Sequence, residues 1–532
     1  MQSRQEMDKA LFVSISLYFI SALFLYAPYK YIINVDGISY ISIAQKYASF
    51  NFIDAVNGFW SPMISWLLVP FLWLDIDPVL ATKLINLCSG FLTLLICNKF
   101  LLKLDISGFS RNSALLTISF VLVNWAMYML RVDLLFLLGT LTYLYVLLNE
   151  NYLTNRFLAV LAGILGAIIY FAKSFGFPFF IAHFFIFNLI FFFRTKDSDI
   201  RAKCVKTFFS GMIAFALISG VWIYALSHKY HEFTVSKKGT NIISETIAQR
   251  GYLNGKTILN PPPNSTAISI WEDNSSTIGP NGLQRYFYDF AGAMKIQIKI
   301  IKKNMYMTIR ALCIFSLFSC LVLSVAIYHF VKHWRNILYD NSFLLLITGL
   351  ILTGGYIPIW VDNRYLWLDC IILILIGMKL FERYTESLMW RPILKNALIS
   401  IFACSFLLIP SWVYIRDYNM QKWIYLLSGK LKHLGVAERV VSNIKWGDTL
   451  RLSFYNDWRY YGDIINKSEL GSDDLINELE KNKIKYLLFW GSMNPSETKF
   501  LESYKDVSQG VLTYPETDGS TQPLRVFRLI NE

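Results

Sequence analysis

Charge is scarce in this chain. Only 16% of its 532 residues are Asp, Glu, Lys or Arg, whereas 55% are hydrophobic and the mean hydropathy is +0.42. No soluble protein of this size needs that much apolar surface, so most of the chain is expected to be a polytopic α-helical membrane protein. The formal net charge of +13 would suggest nucleic acid in a soluble domain. Here the basic excess sits in short loops between apolar runs, where it acts as a topology signal. Cysteine is also sparse. Cys88, Cys97, Cys313, Cys320, Cys370 and Cys404 lie inside apolar runs and Cys204 in a basic loop, which argues against a disulfide framework or a Cys-based zinc site. There is no repeat of fixed period, no low-complexity tract and no glycine motif for phosphate in the polar C-terminal part. The first apolar run, 11–31, is too long and too aromatic for a cleaved signal peptide and reads as a retained helix.

The apolar runs predict about eleven spans of roughly 20 residues each. They fall at 11–31, 78–102, 112–130, 134–148, 157–171, 177–193, 207–227, 308–331, 342–359, 366–381 and 397–415. A shorter run at 63–74, broken by Pro70, is expected to dip into the interface without crossing. Arg4 and Lys9 precede the first span. Lys99, Lys103 and Arg111, then Arg194 to Lys206, then Lys332 and Arg335, then Arg383, Arg391 and Lys395 follow in alternate loops. Spans that alternate from an inside N-terminus put all of these on the cytoplasmic face of the cell membrane. The opposite, external face then holds a first loop (32–62), a long polar loop (228–306), the short Trp360–Arg364 loop and everything beyond residue 417. The long loop is turn-rich, with GYLNGK, NPPPNS and WEDNSS, and its length suggests function or packing. The domain division is thus 1–416 in the membrane and 417–532 as a small external α/β domain. In that domain 449–455, 485–490, 511–514 and 525–529 read as strands, and 473–480 and 497–504 as helices.

The stretch most charged with meaning is INVDGISYISIAQKYASFNFIDAVNGFWSPMISWLLVP, residues 33–70. Asp36 and Gly37 look like a helix start, with Ile38, Ile41, Ala44, Tyr47 and Ala48 at helical spacing. Ser42, Gln45 and Lys46 fall on the other face, as in a helix lying along the membrane surface. Asp36 then stands at the membrane–water boundary, near Tyr40 one turn on. Alone, it reads as a helix cap as readily as a catalytic acid. Other ionisable groups lie close to membrane depth: Arg131 and Asp133 in YMLRVDLLF, Lys173 in YFAKSFGFPFF, His183 a little deeper, and Arg364 and Tyr365 after TGGYIPIWVDN. Arg131 and Asp133 could pair with each other, Lys173 could snorkel, and His183 could be a packed, hydrogen-bonded histidine. Those readings do not explain why so many of the charges gather on the outer side, where topology disfavours Lys and Arg.

VDGISYISIAQKYA followed by NGFWSPMISWLLVPF resembles the first external loop of the GT-C glycosyltransferase superfamily. Within it the resemblance is to the bacterial, protein O-mannosyltransferase-like membrane transferases, which include the lipid A aminoarabinose transferases. It continues through RVDLLF, GILGAIIYFAKSFGFPFF, the WED of the long loop and DNRYLWLD, roughly from Leu11 to Leu380. The resemblance implies transfer of a hexosyl or pentosyl group from a polyprenyl-phosphate donor to a lipid, glycan or protein acceptor outside the membrane. Asp36 occupies the position of the family's catalytic base and Asp133 that of its second acid. Lys173 and Arg364 match basic positions used near the donor phosphate. Gly37 follows Asp36 where the family commonly has a second acid, so no cofactor is assigned and a divalent metal is left open. Tyr40, Trp60, Trp271, Tyr365 and His183 are candidate substrate contacts, with interfacial anchoring the alternative for the aromatics. Two rival classes share the broad features, an O-antigen ligase or polymerase and a polyprenyl-linked glycan transporter. Convergence of Asp36, Asp133, Lys173 and Arg364 in one outward cavity would favour the transferase.

Overall fold

The computed structural model describes all residues except 1, 107, 129, 239–257, 275–286, 288, 388–390, 465–470, 509, 511, 517–519 and 530–532. The GYLNGK motif and the end of WEDNSS lie outside the described residues. Ten helices open the chain: α1 (Gln2–Tyr29), α2 (Val35–Ala48), α3 (Phe52–Ala55), α4 (Met63–Trp73), α5 (Pro78–Lys103), α6 (Gly108–Tyr128), α7 (Asp133–Leu147), α8 (Arg156–Ala172), α9 (Gly176–Arg194) and α10 (Ser198–Tyr230). The membrane part resumes with helices Phe290–Phe315, Ser319–Lys332, Asn341–Tyr356, Trp367–Ser387, Pro392–Ser405 and Leu408–Arg416. Local signals set several of these boundaries. Asp77 accepts from Leu80 N at 2.8 Å and Pro78 fills the first helical position, so α5 starts where it must. Where α8 meets α10, a Cβ on Gly163 would lie 2.1 Å from the Gly211 carbonyl oxygen, so only glycine allows that approach.

Among the described residues five helices are long and apolar enough to cross a bilayer, six if one bent pair counts as a span. The protein is therefore a multi-pass membrane protein. Four shorter apolar helices, α4, α7, α8 and Asn341–Tyr356, have 11, 15, 17 and 16 residues. The reading of 308–331 as one continuous span is corrected: helices Phe290–Phe315 and Ser319–Lys332 meet at a bend of 105°. The bend needs no proline. Ser316 holds the break open through a 2.5 Å hydroxyl contact with Ser405, and its hydroxyl also accepts from Phe318 N at 3.1 Å.

Beyond the membrane part lie helix Lys422–His433 and a small sheet domain. Strand β1 (Arg439–Ser442) runs parallel to β2 (Arg459–Asp463) on one side and β3 (Tyr486–Trp490) on the other. Three strands complete the sheet: β4 (Lys505–Asp506), β5 (Thr513–Pro515) and β6 (Thr521–Arg528). Strand β6 pairs antiparallel with β3, β4 and β5. The stretch 449–455, expected as a strand, is instead part of a helix, Trp446–Asn456. Leu450, Leu452 and Phe454 alternate as in a strand, but the buried set is Thr449, Leu450, Leu452 and Ser453, which is helical spacing. This domain is bonded to the loop that follows α1: Gln421 Oε1 accepts from Ile33 N and Arg451 Nε donates to Ile33 O, both at 2.9 Å. It also holds the long loop, with Tyr460 N donating to Ile268 O at 2.7 Å.

Candidate active site

The helix that carries Asp36 starts at Val35, with Asn34 in the N-cap position and no side chain capping it. Asp36 therefore does not act as a cap. Its carboxylate turns to other partners. Oδ2 accepts from both terminal nitrogens of Arg364, at 3.2 and 3.1 Å, and Oδ1 accepts from Trp271 Nε1 at 3.3 Å. Burial would raise this carboxyl, but Lys238 and Arg364 outweigh it and hold it below the usual carboxylate range. Arg364 sits in a 3-10 turn, Asn363–Leu366, just ahead of helix Trp367–Ser387, and its Nε also lies 3.5 Å from Asp362.

The WED of the long loop fixes this arrangement. Glu272 is buried and pairs with Lys46, and its other oxygen accepts from Ser42 at 2.6 Å. Asn57 donates to Glu272 O at 2.8 Å, and Trp60 Nε1 donates to Trp271 O at 3.1 Å. The polar face of α2, expected to meet water, is thus largely covered: Ser42 and Lys46 are buried, and only Gln45 stays exposed. Trp271 is placed between Asp36 and the C-terminal domain, its ring 5.2 Å from that of Trp446.

Asp133, at the first position of α7, pairs with Lys173 at 2.8 Å, where Lys173 caps the C-terminus of α8. The lysine ammonium also lies 3.6 Å from the centroid of the Tyr365 ring, which stacks on Tyr356 at 4.6 Å. Tyr356 stacks in turn on Phe175 at 3.8 Å, and its buried hydroxyl has no partner among the described residues. Asp36, Asp133, Lys173 and Arg364 all line one cavity of about 420 Å³, together with Tyr40, Trp60 and Tyr365. Trp271 is not among the lining residues and meets the site through its hydrogen bond to Asp36. His183 is not among the lining residues: it is fully buried, bonded to Tyr143 at 3.0 Å and Thr348 at 2.9 Å. Its assignment as a substrate contact is withdrawn, because both ring nitrogens are already used inside the helix packing.

One cation in the cavity went unnoticed in the sequence. Lys238 lies 3.9 Å from the Trp60 ring centroid and makes no ion pair among the described residues. Burial pushes its ammonium down to about 8, against the pull of Asp36. Its neighbour Lys237 pairs with Glu232. The adjacent pair Lys237 and Lys238 in the long polar loop was the available signal. Asp36 and Asp133 are each engaged by a cation, and no group of three His, Cys, Asp or Glu gathers among the described residues.

No protein-family model matches the chain, and no curated protein matches it in sequence. Solved structures do. The archaeal oligosaccharyltransferase AglB from Archaeoglobus fulgidus, in complex with an inhibitory peptide and a dolichol-phosphate, aligns at TM-score 0.51 and 11% identity over 96% of this chain and 74% of its own. The mycobacterial arabinofuranosyltransferase AftD aligns at TM-score 0.51 and 11% identity over all of this chain, which spans only 40% of AftD. ArnT from Cupriavidus metallidurans, bound to undecaprenyl phosphate, overlaps more loosely, at TM-score 0.41 and 12% identity over 97% of this chain and 98% of its own. At such identities the likeness is one of fold alone, shared with the oligosaccharyltransferase and with part of the arabinofuranosyltransferase.

Proposed function

We propose that the chain is an inverting glycosyltransferase. It moves a hexosyl or pentosyl group from a polyprenyl-phosphate donor to a lipid, glycan or protein acceptor on the outer side of the cytoplasmic membrane. The observation that carries this reading is the convergence of two acids and three cations, Asp36, Asp133, Lys173, Arg364 and Lys238, in one cavity. Asp36 is the group that takes the acceptor's proton as its oxygen attacks the anomeric carbon. The cations stabilise the charge that develops on the leaving phosphate. Attack opposite that phosphate, with a single base, inverts the anomeric carbon. Arg364 holds Asp36 ionised but weakly basic. The donor's phosphodiester, a monoanion, competes for Arg364, and the leaving phosphate gains its second negative charge there as the anomeric bond breaks, so donor arrival loosens Arg364 from the carboxylate that accepts the proton.

A lipid donor fits the depth of the cavity. The inner ends of α5, α7, α9 and Asn341–Tyr356 share one small cleft, lined by Lys103, Leu147, Arg194 and Asn341. From that common level, helices of 15 to 17 residues rise about 22–26 Å. A bilayer core is about 30 Å thick. With that level at the cytoplasmic interface, Asp133, Lys173 and Tyr356 at the far ends would stand below the outer interface, within reach of a phosphate on a membrane-borne chain. The alternation of basic and polar loops supports eleven spans with the N-terminus inside and the C-terminal domain outside. Lipid extracts of cells with and without the chain test the proposal: a polyprenyl-phosphate sugar should accumulate in its absence, and unchanged lipids would refute it.

Lys238 and Lys173 give the donor site a pH signature. Lys238 should be charged, and binding strongest, below its value of about 8; affinity for farnesyl phosphate should fall as pH rises through that point. Lys238→Arg should hold its affinity to higher pH. Lys173→Ala and Arg364→Ala should each weaken binding by roughly tenfold or more. A flat profile together with unaltered variants would return these cations to structural roles.

A further inference from the structure

The cleft at the inner ends of α5, α7, α9 and Asn341–Tyr356 has a volume of about 220 Å³ and shares no lining residue with the main cavity. Two cations line it, Lys103 and Arg194, the last residues of α5 and α9. Glu150 is the one acid among its lining residues, and Asn149 and Asn341 add uncharged polar groups. The guanidinium carbon of Arg194 lies 5.0 Å from the ring centroid of Phe191 and 5.3 Å from that of Tyr339, so two aromatic rings hold it in place. Tyr339 also donates to the Arg194 carbonyl. Yet Nε and Nη2 of Arg194 are buried and have no partner among the described residues. Lys103 makes no ion pair among them either. A cation at a helix C-terminus usually offsets the negative end of the helix. That role leaves the two arginine donors unused, and a buried donor without an acceptor is costly.

We propose that this cleft binds the phosphate of an anionic phospholipid from the adjoining leaflet, held between Arg194 and Lys103. The site is separate from the transfer reaction and from its donor. Nε and Nη2 form the side-on edge of a guanidinium, which receives two oxygens of a phosphate ester at once, and the lysine adds a second point charge. The surroundings favour a lipid over a soluble phosphate. Leu102 and Phe193, next to the two cations in sequence, are 41% and 63% exposed, an apolar rim on which acyl chains can lie. On the topology proposed above this end faces the cytoplasm, where basic pockets between spans receive anionic headgroups. The loop after Arg194 carries Lys196, Arg201, Lys203 and Lys206, which draw anionic lipid toward the cleft. A phosphate there ties α5 to α9, and α7, the helix headed by Asp133, ends in the same cleft.

The test uses the full-length protein in phosphatidylcholine nanodiscs, with a fluorescent short-chain phosphatidylglycerol and glycerol phosphate as probes. The wild type should bind the phosphatidylglycerol saturably. Arg194→Gln and Lys103→Gln should each weaken it by roughly tenfold, the worth of a hydrogen bond to a charged group. Glu150→Gln should tighten it, because the acid no longer repels the phosphate. Thermal unfolding of the variants in phosphatidylcholine alone checks their fold; should Arg194→Gln melt early, the opposite shifts of the other two still decide. A lipid affinity that none of the three substitutions changes overturns the proposal, as does equal affinity for a phosphatidylcholine probe. Glycerol phosphate that binds and is weakened by the variants, with no binding of the lipid, assigns the cleft to a soluble phosphate and refutes the lipid. A diazirine in the lipid headgroup gives a measurement independent of the variants. It should label 147–153 and 191–194 of the wild-type chain. Labelling confined to the residues around Lys173 and Arg364 places the probe in the main cavity and overturns the proposal.

Discussion

An Asp36→Asn protein should insert, purify and bind donor, yet lose about 10²–10⁴ in transfer rate, the usual cost of removing a general base. Asparagine keeps the shape of the side chain and can still accept from Trp271 Nε1, but as a neutral amide it cannot take the acceptor's proton. Helix capping contributes nothing to the outcome, because the cap position belongs to Asn34. The loss of charge does release Arg364, which retains Asp362 at 3.5 Å. Stability should therefore fall modestly, by about 1–3 kcal/mol for hydrogen bonds made to a charged group. Donor affinity should rise, since Arg364 no longer has Asp36 as a competing anion. Single-turnover transfer and donor binding, measured on the same preparation, separate these effects. Turnover near the wild-type rate would leave Asp36 as a structural partner of Arg364 and sink the mechanism.

The largest stability effect is expected from Glu272→Ala. Lys46 and Glu272 are only 3% and 2% exposed, and losing the carboxylate strands an ammonium group away from water. Breaking such a pair from one side typically costs about 3–5 kcal/mol. The damage should extend to function, because Glu272 follows Trp271 directly, and Trp271 orients Asp36. Removing both charges in Lys46→Met/Glu272→Leu should recover much of the loss, since no uncompensated charge remains. Thermal unfolding of the three variants in one detergent is the measurement. A Glu272→Ala protein that melts with the wild type would show that water or another group serves Lys46.

Much of this architecture could be read from the chain because local signals and global fold agree. The apolar runs fall on helices, although Ser198–Tyr230 begins nine residues before its run and the run 308–331 straddles a bend. The first loop and DNRYLW carried the acid and the arginine that meet across 328 positions, although nothing in either segment announces the meeting. Where reading failed, tertiary contacts decided. Thr449–Tyr455 alternates like a strand, yet the surface it packs against selects the helical face. The 105° bend has neither glycine nor proline at Ser316–Phe318, and its partner Ser405 is 89 positions away. Lys238 had no periodicity or motif to mark it; only the fold brings it over Trp60. Lys46 looked like a wet residue because its counterion, Glu272, lies 226 positions downstream.

The docking of the C-terminal domain on Ile33 sets a rule of parity. Both backbone groups of Ile33 are bonded to that domain's side, one by Gln421 and one by Arg451. A chain that leaves one face of a membrane at residue 33 and is back on the same face by residue 421 has crossed an even number of times in between. If α1 also crosses, the total is odd: eleven satisfies the rule, and ten and twelve do not. The short helices and the bent pair can be assigned as full or partial crossings only in combinations that respect it. The face on which Asp36 stands is likewise tied to the far end of the chain, so a single reporter fused beyond Asp417 reports the side to which the cavity opens.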